Sequence, residues 1–226
     1  MNVLVACEES QRVCIAFRGK GHTAFSCDLQ PCSGGHPEWH IMGDVLKIIN
    51  GSKSMRPSDR FIETEDGSHY SFPEQWDLII AHPPCTYLSN AGARWLYAGG
   101  ELNTERYRKG LDGKEFFMAM LNADCPRIAV ENPIPSSIYG LPEYSQIIQP
   151  YYFGEPWSKK TCLWLKGLDI LQPTDIVMDH KPYCSSGSYS GTHDPKYKGA
   201  SRKGGSAKSR SKTFWGIARA TADQWG

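Results

Sequence analysis

No apolar run in this sequence approaches the roughly 20 residues that a membrane-spanning helix requires, and no secretory signal opens it. We therefore expect no membrane partner and a cytoplasmic location. The sequence also lacks an excess of either charge. Its formal net charge is +1, which by itself favours no class of partner. Eight cysteines without a secretory signal indicate reduced thiols and not a disulfide framework.

The chain is long and apolar enough for one domain with a sizeable core, since 40% of its 226 residues are hydrophobic. Seven Trp, eleven Tyr and eight Phe exclude disorder throughout. Residues 3–7 are an apolar run of the buried-strand type, and a helical pattern follows Ser10 and stops at Gly19. A second apolar run at 23–27 ends at Asp28. Strand, helix and strand in this order predict an α/β fold with a parallel sheet.

Later segments continue the alternation. The remaining predicted elements are a loop and short helix at 43–50, a hairpin within the polar segment 51–75 that turns at Asp66-Gly67, strands at 76–81, 127–130 and 161–165, and helices at 104–123, 144–149 and 213–225. Polar or reactive side chains follow four of the predicted strands. These are the Cys-Glu-Glu-Ser run at 7–10, Asp28, the His-Pro-Pro-Cys run at 82–85 and the Glu-Asn-Pro run at 131–133. Open parallel sheets bind ligands beyond the carboxyl ends of their strands, so we expect one cleft to contain all four.

Each of these residues also has a simpler structural interpretation. Asp28 has the position of an acid that binds ribose hydroxyls, or it only begins a turn. The first loop lacks a glycine-rich phosphate turn, which favours a nucleoside without a pyrophosphate, such as S-adenosyl-L-methionine. Cys85 follows two prolines that would fix the direction of its thiol as a nucleophile, or it is a structural cysteine. Glu131 can hold a proton if burial raises its pKa, or it is a surface turn acid.

Together these motifs resemble the DNA cytosine-5 methyltransferase family, in the family's order along the chain. Residues 4–30 correspond to its cofactor motif and acidic strand end, 43–45 to a further cofactor acid, 76–92 to the nucleophile motif and 127–133 to the Glu-Asn motif. Arg210 and Thr213 have the Arg-x-x-Thr spacing of a late family motif. The resemblance implies a Rossmann-like S-adenosylmethionine-dependent methyltransferase fold with a doubly wound, mostly parallel sheet. It also suggests a small, phage-type member acting in a bacterial or phage-infected cell.

The resemblance implies that Cys85 attacks carbon 6 of a flipped cytosine in duplex DNA while Glu131 protonates or hydrogen-bonds ring nitrogen 3. Carbon 5 then takes the methyl group and S-adenosyl-L-homocysteine is released. The catalytic residues implied are Cys85, Glu131, Asn132 and Pro84. The cofactor contacts implied are Cys7, Glu8, Glu9, Ser10, Asp28, Leu29, Asp44, Val45, His82 and Pro83.

The resemblance divides the chain into a catalytic domain at 1–171, a short basic recognition segment at 172–210 and a C-terminal helix at 211–226. No Asp or Glu occurs from Pro195 to Ala222, which favours phosphate contact, although a solvated linker has the same composition. The predicted nucleic-acid contacts are Lys159, Lys160, Lys198, Arg202, Lys203, Lys208 and Arg210. A recognition segment this short implies low sequence specificity, or specificity supplied by a homodimer or protein partner. The family's Phe-x-Gly-x-Gly loop is absent.

Other functions remain open at this point. The same Cys/Glu chemistry could act on RNA, single strands or nucleotides, or transfer another group. A non-catalytic nucleic-acid-binding protein on the same fold is a further alternative, as is an amino-methyltransferase with an Asp/Asn-Pro-Pro-aromatic motif. The latter is disfavoured by Cys85 and Glu131. Cys27, Cys32, His36 and His40 have a spacing that suggests zinc, but it differs from common zinc fingers, and we expect no metal.

Overall fold

The computed structural model describes residues 1–93, 95–98, 100–183 and 211–226. Its main feature is a seven-stranded sheet with the strand order β10-β12-β9-β6-β1-β2-β3. The strands of this sheet are β1 (Asn2–Ala6), β2 (Thr23–Asp28), β3 (His40–Met42), β6 (Leu78–Ala81), β9 (Ile128–Pro133), β10 (Gln146–Ile148) and β12 (Thr161–Lys166). Six of them run in the same direction, and β12 runs in the opposite direction between β9 and β10. The α/β, Rossmann-like, mostly parallel sheet expected from the sequence is confirmed.

Helices cover both faces of the sheet, which explains why β6 is apolar throughout and β1 is apolar from Val3 to Ala6. The helices of the described ranges are α1 (Arg12–Gly19), α2 (Asn90–Ala93), α3 (Thr104–Leu121) and α4 (Trp215–Trp225), with single 3₁₀ turns at Pro37–Trp39, Val45–Lys47, Pro57–Asp59, Ser137–Tyr139 and Pro150–Tyr152. On one face α3 buries Phe117 and Met120. On the other face α1 and α4 pack together over the alternate side chains of the same strands. None of the described helices is both long and apolar enough to cross a membrane.

Within the described ranges, three short two-stranded ribbons lie outside the main sheet. They are β4 (Phe61–Glu63) with β5 (His69–Ser71), β7 (Tyr97–Ala98) with β8 (Glu101–Leu102), and β11 (Trp157–Ser158) with β13 (Lys181–Pro182). The first pair is the predicted hairpin, with Gly67 in the left-handed conformation in its turn.

Two predictions of secondary structure are wrong. Residues 144–149 were expected to form a helix, but Gln146–Ile148 form the edge strand β10. Its pairing with β12 supplies hydrogen bonds that so short a helix could not match. The strand predicted at 127–130 also continues as far as Pro133, because Glu131, Asn132 and Pro133 lie opposite Leu163, Cys162 and Thr161 of β12. Glu131 and Asn132 are therefore held within a sheet and not in a loop.

Candidate active site

The four predicted strand ends meet at one edge of the sheet. Ala6 of β1 lies opposite Cys27 of β2 on one side and Ala81 of β6 on the other, and Ala81 lies opposite Val130 of β9. The residues that follow these positions are therefore neighbours in space.

The turn from β1 to α1 has a strained backbone. Cys7 and Gln11 adopt φ values of 59° and 57°, which are unusual for residues with a side chain. The buried Gln11 amide compensates by donating to Ser26 Oγ (3.2 Å) and to the His36 carbonyl (2.8 Å) and by accepting from the His36 N–H (3.1 Å). This turn occupies the place of the missing glycine-rich loop, and sequence reasoning did not single out Gln11.

Glu8 is buried beneath this turn. Its carboxylate accepts the N–H groups of Val13 (2.8 Å) and Cys14 (3.2 Å) in the first turn of α1, and Ser10 lies beside it. Burial raises the pKa of Glu8, although these bonds and nearby His82 oppose the shift. The Glu8 carboxylate thus serves as the hydrogen-bond acceptor for the first turn of α1. Neighbouring Glu9 is partly buried, with its carboxylate 3.7 Å from Lys212 Nζ.

Two carboxylates mark the ends of β2 and β3, since Asp28 is the last residue of β2 and Asp44 follows β3. Asp28 accepts from the Gln30 N–H (2.9 Å), and Asp44 accepts from the Leu46 N–H (3.0 Å). Burial, with the charges of Asp28 and Asp44, raises the pKa of the Cys7 thiol, so both acids lie near the β1 turn. Leu29 is 76% exposed beside Asp28, whereas Val45 is buried. Acceptors for hydroxyl groups beside an exposed apolar side chain fit the nucleoside part of S-adenosylmethionine.

Cys85 lies in the loop after β6. Pro83 is buried and Pro84 is exposed on the way to it. The Cys85 carbonyl accepts from the Ser89 N–H (3.1 Å), which folds the loop back. Gly92 closes it, because a Cβ there would lie 2.0 Å from the Thr86 carbonyl oxygen. The Cys85 side chain is partly exposed at this bend.

His82 and Glu131 form an ion pair on the neighbouring strands. His82 Nδ1 donates to Glu131 Oε2 at 2.7 Å, and the two side chains are only 15% and 20% exposed. Burial opposes a charge on His82, but Glu131 and the nearby Glu8 outweigh it and raise the pKa of His82. Burial likewise opposes ionisation of Glu131, but His82 and Lys159 lower its pKa. The condition under which Glu131 alone would hold a proton, a pKa raised by burial, is therefore not met, because its imidazole partner, which sequence reasoning did not identify, outweighs the effect of burial.

Some buried polar atoms at this edge have no hydrogen-bond partner among the described residues. They are Nε2 of His82 and both polar atoms of the Asn132 side chain. Unsatisfied buried groups are rare, and these belong to a residue in the segment that leads from β6 to Cys85 and to the residue that follows Glu131 in β9. His82 and Glu131 also line a void of about 20 Å³ closed by Thr213, Thr221 and Trp225, among others. This void has room for one water molecule.

The predicted nucleic-acid contacts divide into two groups. Lys159 is partly buried and close enough to lower the pKa of both Cys85 and Glu131, whereas Lys160 is exposed. The remaining predicted contacts, Lys198, Arg202, Lys203, Lys208 and Arg210, lie outside the described residues. Thr213 of the late Arg-x-x-Thr motif is buried at the void, and its carbonyl accepts from Arg12 (2.7 Å).

The alternative zinc ligands have other roles. His40 is buried, with Nδ1 bonded to Ser26 Oγ and Nε2 to the Gln30 carbonyl, both at 2.9 Å. His36 stacks on Trp39 and bonds to Glu38. No group of three or more metal-ligating side chains occurs in the part of the chain that the structure describes.

Comparison with known proteins gives similar structures but no sequence match. No family profile matches the chain, and no curated protein matches it in sequence. Among solved structures, a DNA modification methyltransferase encoded in an Escherichia coli prophage has a TM-score of 0.42 and 13% identity, over 86% of this chain and 56% of its own. An Escherichia coli rRNA methylase has a TM-score of 0.33 and 15% identity, over 73% of this chain and 55% of its own.

A third similar structure is the Entamoeba histolytica methyltransferase EhMeth, with a TM-score of 0.42 and 13% identity, over 82% of this chain and 60% of its own. This chain thus spans between 55% and 60% of the lengths of the three proteins.

Proposed function

We propose that this chain transfers a methyl group from S-adenosylmethionine to carbon 5 of cytosine in DNA. The observation that carries the proposal is the position of Cys85 just after β6 and of Glu131 in the adjacent parallel strand β9, close enough for the Glu131 charge to raise the pKa of Cys85. A thiol beside a buried, paired carboxylate is suited to covalent addition to a pyrimidine ring followed by proton transfer at a ring nitrogen.

Each part of the site has a role in this chemistry. Cys85 forms a bond to carbon 6, Glu131 hydrogen-bonds ring nitrogen 3, and the unsatisfied Asn132 amide offers a donor and an acceptor to the base or to the Glu131 strand. Asp28, Asp44 and Leu29 hold the nucleoside of S-adenosylmethionine, which supplies an electrophilic methyl group. The raised pKa of Cys85 means that Lys159 must help to form the thiolate.

The deciding experiment is nucleoside mass spectrometry on DNA and RNA from a methylation-free bacterial host that expresses the chain. We expect 5-methylcytosine in DNA with the wild type and none with Cys85→Ser, which keeps the shape of the side chain but loses the strong nucleophile. Glu131→Gln should lower the yield by about a hundredfold, the usual size of a general-acid contribution.

The other outcomes separate the alternatives. A modified cytosine of different mass would identify another transferred group, and modification of RNA alone would identify another substrate. Wild-type modification that persists in Cys85→Ser would exclude the covalent mechanism. No modification by a folded protein that binds nucleic acid would favour a binding function.

A further inference from the structure

The family resemblance implied that His82 contacts the cofactor, but in the structure His82 is hydrogen-bonded to Glu131. Because Ala81 lies opposite Val130 in the parallel register of β6 and β9, His82 and Glu131 are the next neighbours along these strands. Their side chains leave the same face of the sheet and meet at 2.7 Å. Neither is more than 20% exposed, and in the described structure His82 Nδ1 has no other partner.

We propose that His82 is a positioning residue that holds a proton for Glu131, so that the pair delivers a proton to ring nitrogen 3 while Cys85 attacks carbon 6. This inference rests on the proposed function. In this arrangement the Glu131 carboxylate is ionised, and an ionised carboxylate by itself has no proton to give. The imidazolium beside it holds the proton that the ring needs.

The surroundings favour a charged imidazole. Glu8 faces His82 from the β1–α1 turn, Glu131 from β9 and Lys159 from the segment before β12. The Cys85 thiol lies within range of the same Glu131 and Lys159 charges. Helix α4 contributes only neutral side chains to the void beside the pair, including Thr221 and Trp225. Because the two carboxylates near His82 outnumber the one ammonium group, the imidazole keeps its proton until a cytosine enters the site.

The step begins when the Cys85 thiol releases its proton to solvent. The thiolate electron pair of Cys85 forms the bond to carbon 6, the ring π electrons shift towards carbon 5, and nitrogen 3 takes the proton that His82 passes through Glu131. Carbon 5 then bonds the methyl group, whose former bonding electrons remain on the departing sulfur. Nitrogen 3 returns its proton to the pair. The carbon 5 proton passes to solvent as the bond between Cys85 and carbon 6 breaks.

Two measurements test the pair. The first is an NMR titration of ¹⁵N-labelled histidine, with the His82 signal assigned by its loss in His82→Gln. We expect the His82 midpoint to fall in Glu131→Gln, and an unchanged midpoint would overturn the coupling. The second measures covalent adduct formation, with S-adenosylmethionine, on an oligonucleotide containing 5-fluorocytosine, whose fluorine prevents the final elimination. His82→Gln should form adduct about tenfold to a hundredfold more slowly and lose the decline of the wild-type rate at alkaline pH.

The controls distinguish the two proposals. His69→Gln alters an exposed histidine in the β4–β5 hairpin and should leave adduct formation unchanged. Wild-type protein that forms no adduct would overturn the proposed function and the relay together. Adduct formation with the same pH profile in His82→Gln would overturn the relay alone, and a loss confined to S-adenosylmethionine affinity would return His82 to the cofactor site.

Discussion

Cys85 is held as a thiol, although the proposed reaction needs a thiolate. Burial raises the pKa of Cys85 and the Glu131 charge adds to the shift, while Lys159 opposes it. A protonated thiol limits unwanted alkylation and oxidation in the absence of substrate. Lys159 is thus more than a phosphate contact, because its ammonium group favours the nucleophilic form of Cys85.

Alkylation of Cys85 by iodoacetamide, followed by peptide mass spectrometry, measures this effect directly. In the wild type we expect the rate to keep rising beyond about pH 9, because the pKa of Cys85 is above its ordinary value. Lys159→Gln removes the favourable charge and should slow the reaction near neutral pH by roughly threefold to tenfold. Lys160→Gln removes the same charge at an exposed neighbour and should have no effect, so equal slowing in both variants would contradict the prediction.

The His82–Glu131 pair also makes stability depend on pH. The lowered pKa of Glu131 contributes stability above the unfolded value of 4.5 that is lost as the pH falls. The raised pKa of His82 contributes stability below the unfolded value of 6.5 that is lost as the pH rises through its folded value. The difference in unfolding free energy between the wild type and Glu131→Gln should therefore be largest between about pH 4.5 and about pH 6.5. Urea denaturation measures it, and a difference independent of pH would contradict the pairing.

The β1–α1 turn shows how one element is fixed without the glycines that usually make such a turn. Its left-handed residues are Cys7 and Gln11, and its helix begins on the Glu8 carboxylate. Gln11, which precedes α1, makes no capping hydrogen bond with its side chain, and the Glu8 carboxylate takes over this role. Backbone strain at Gln11 is offset by its three hydrogen bonds, one to Ser26 of β2 and two to His36 in the β2–β3 connection.

Replacement of Glu8 tests this arrangement. Glu8→Ala leaves the Val13 and Cys14 N–H groups without their acceptor and should lower the free energy of unfolding by about 1–3 kcal/mol. Glu8→Gln keeps one acceptor oxygen and avoids a buried charge, so it should cost less than Ala. Because the pKa of Glu8 is raised, wild-type stability from this group falls as the pH rises above 4.5, and the Gln variant should lack that slope. Equal losses in both variants would exclude the capping role.

Local patterns were sufficient to predict the elements that are apolar and close in sequence. The strands β1, β2, β6 and β12, the helix α3 and the hairpin β4–β5 follow from periodicity and turn chemistry. The order of the strand ends also predicted that Cys85 and Glu131 would be neighbours. Local sequence patterns could not predict which strands pair when the strands are distant in sequence. Strand β10 exists because β12 offers it partners, and the polar residues of β9 continue the strand for the same reason.

The two faces of the sheet are covered by different helices. Helix α3 and its neighbours fill one face, while α1 and α4 fill the other, behind the ion pair. The last residue of α4 lies near the start of β9, where Arg127, the residue before the strand, donates to the Trp225 carbonyl (3.1 Å). Helix α4 therefore closes the void at His82 and Glu131 and excludes bulk water from them.

Trp225 should be the most important side chain for this closure. It is only 4% exposed, lines the void and donates its indole N–H to the Asp169 carbonyl (3.1 Å). Trp225→Ala should lower the free energy of unfolding by about 3–5 kcal/mol, the cost of a large cavity. Water entering behind His82 would also reduce the burial that acts on the pair, so the His82 titration should move towards the ordinary histidine value in the same variant.

The matched control is Trp215→Ala at the other end of α4. Trp215 is 38% exposed, and its ring centroid lies 5.6 Å from Cζ of Arg12. Loss of this ring should therefore lower the free energy of unfolding by only about 1 kcal/mol and leave the His82 titration unchanged. Urea denaturation and histidine NMR on both variants separate packing of the helix from closure of the site. If Trp225→Ala destabilised the protein but did not move the His82 titration, α4 would support the fold without controlling the ion pair.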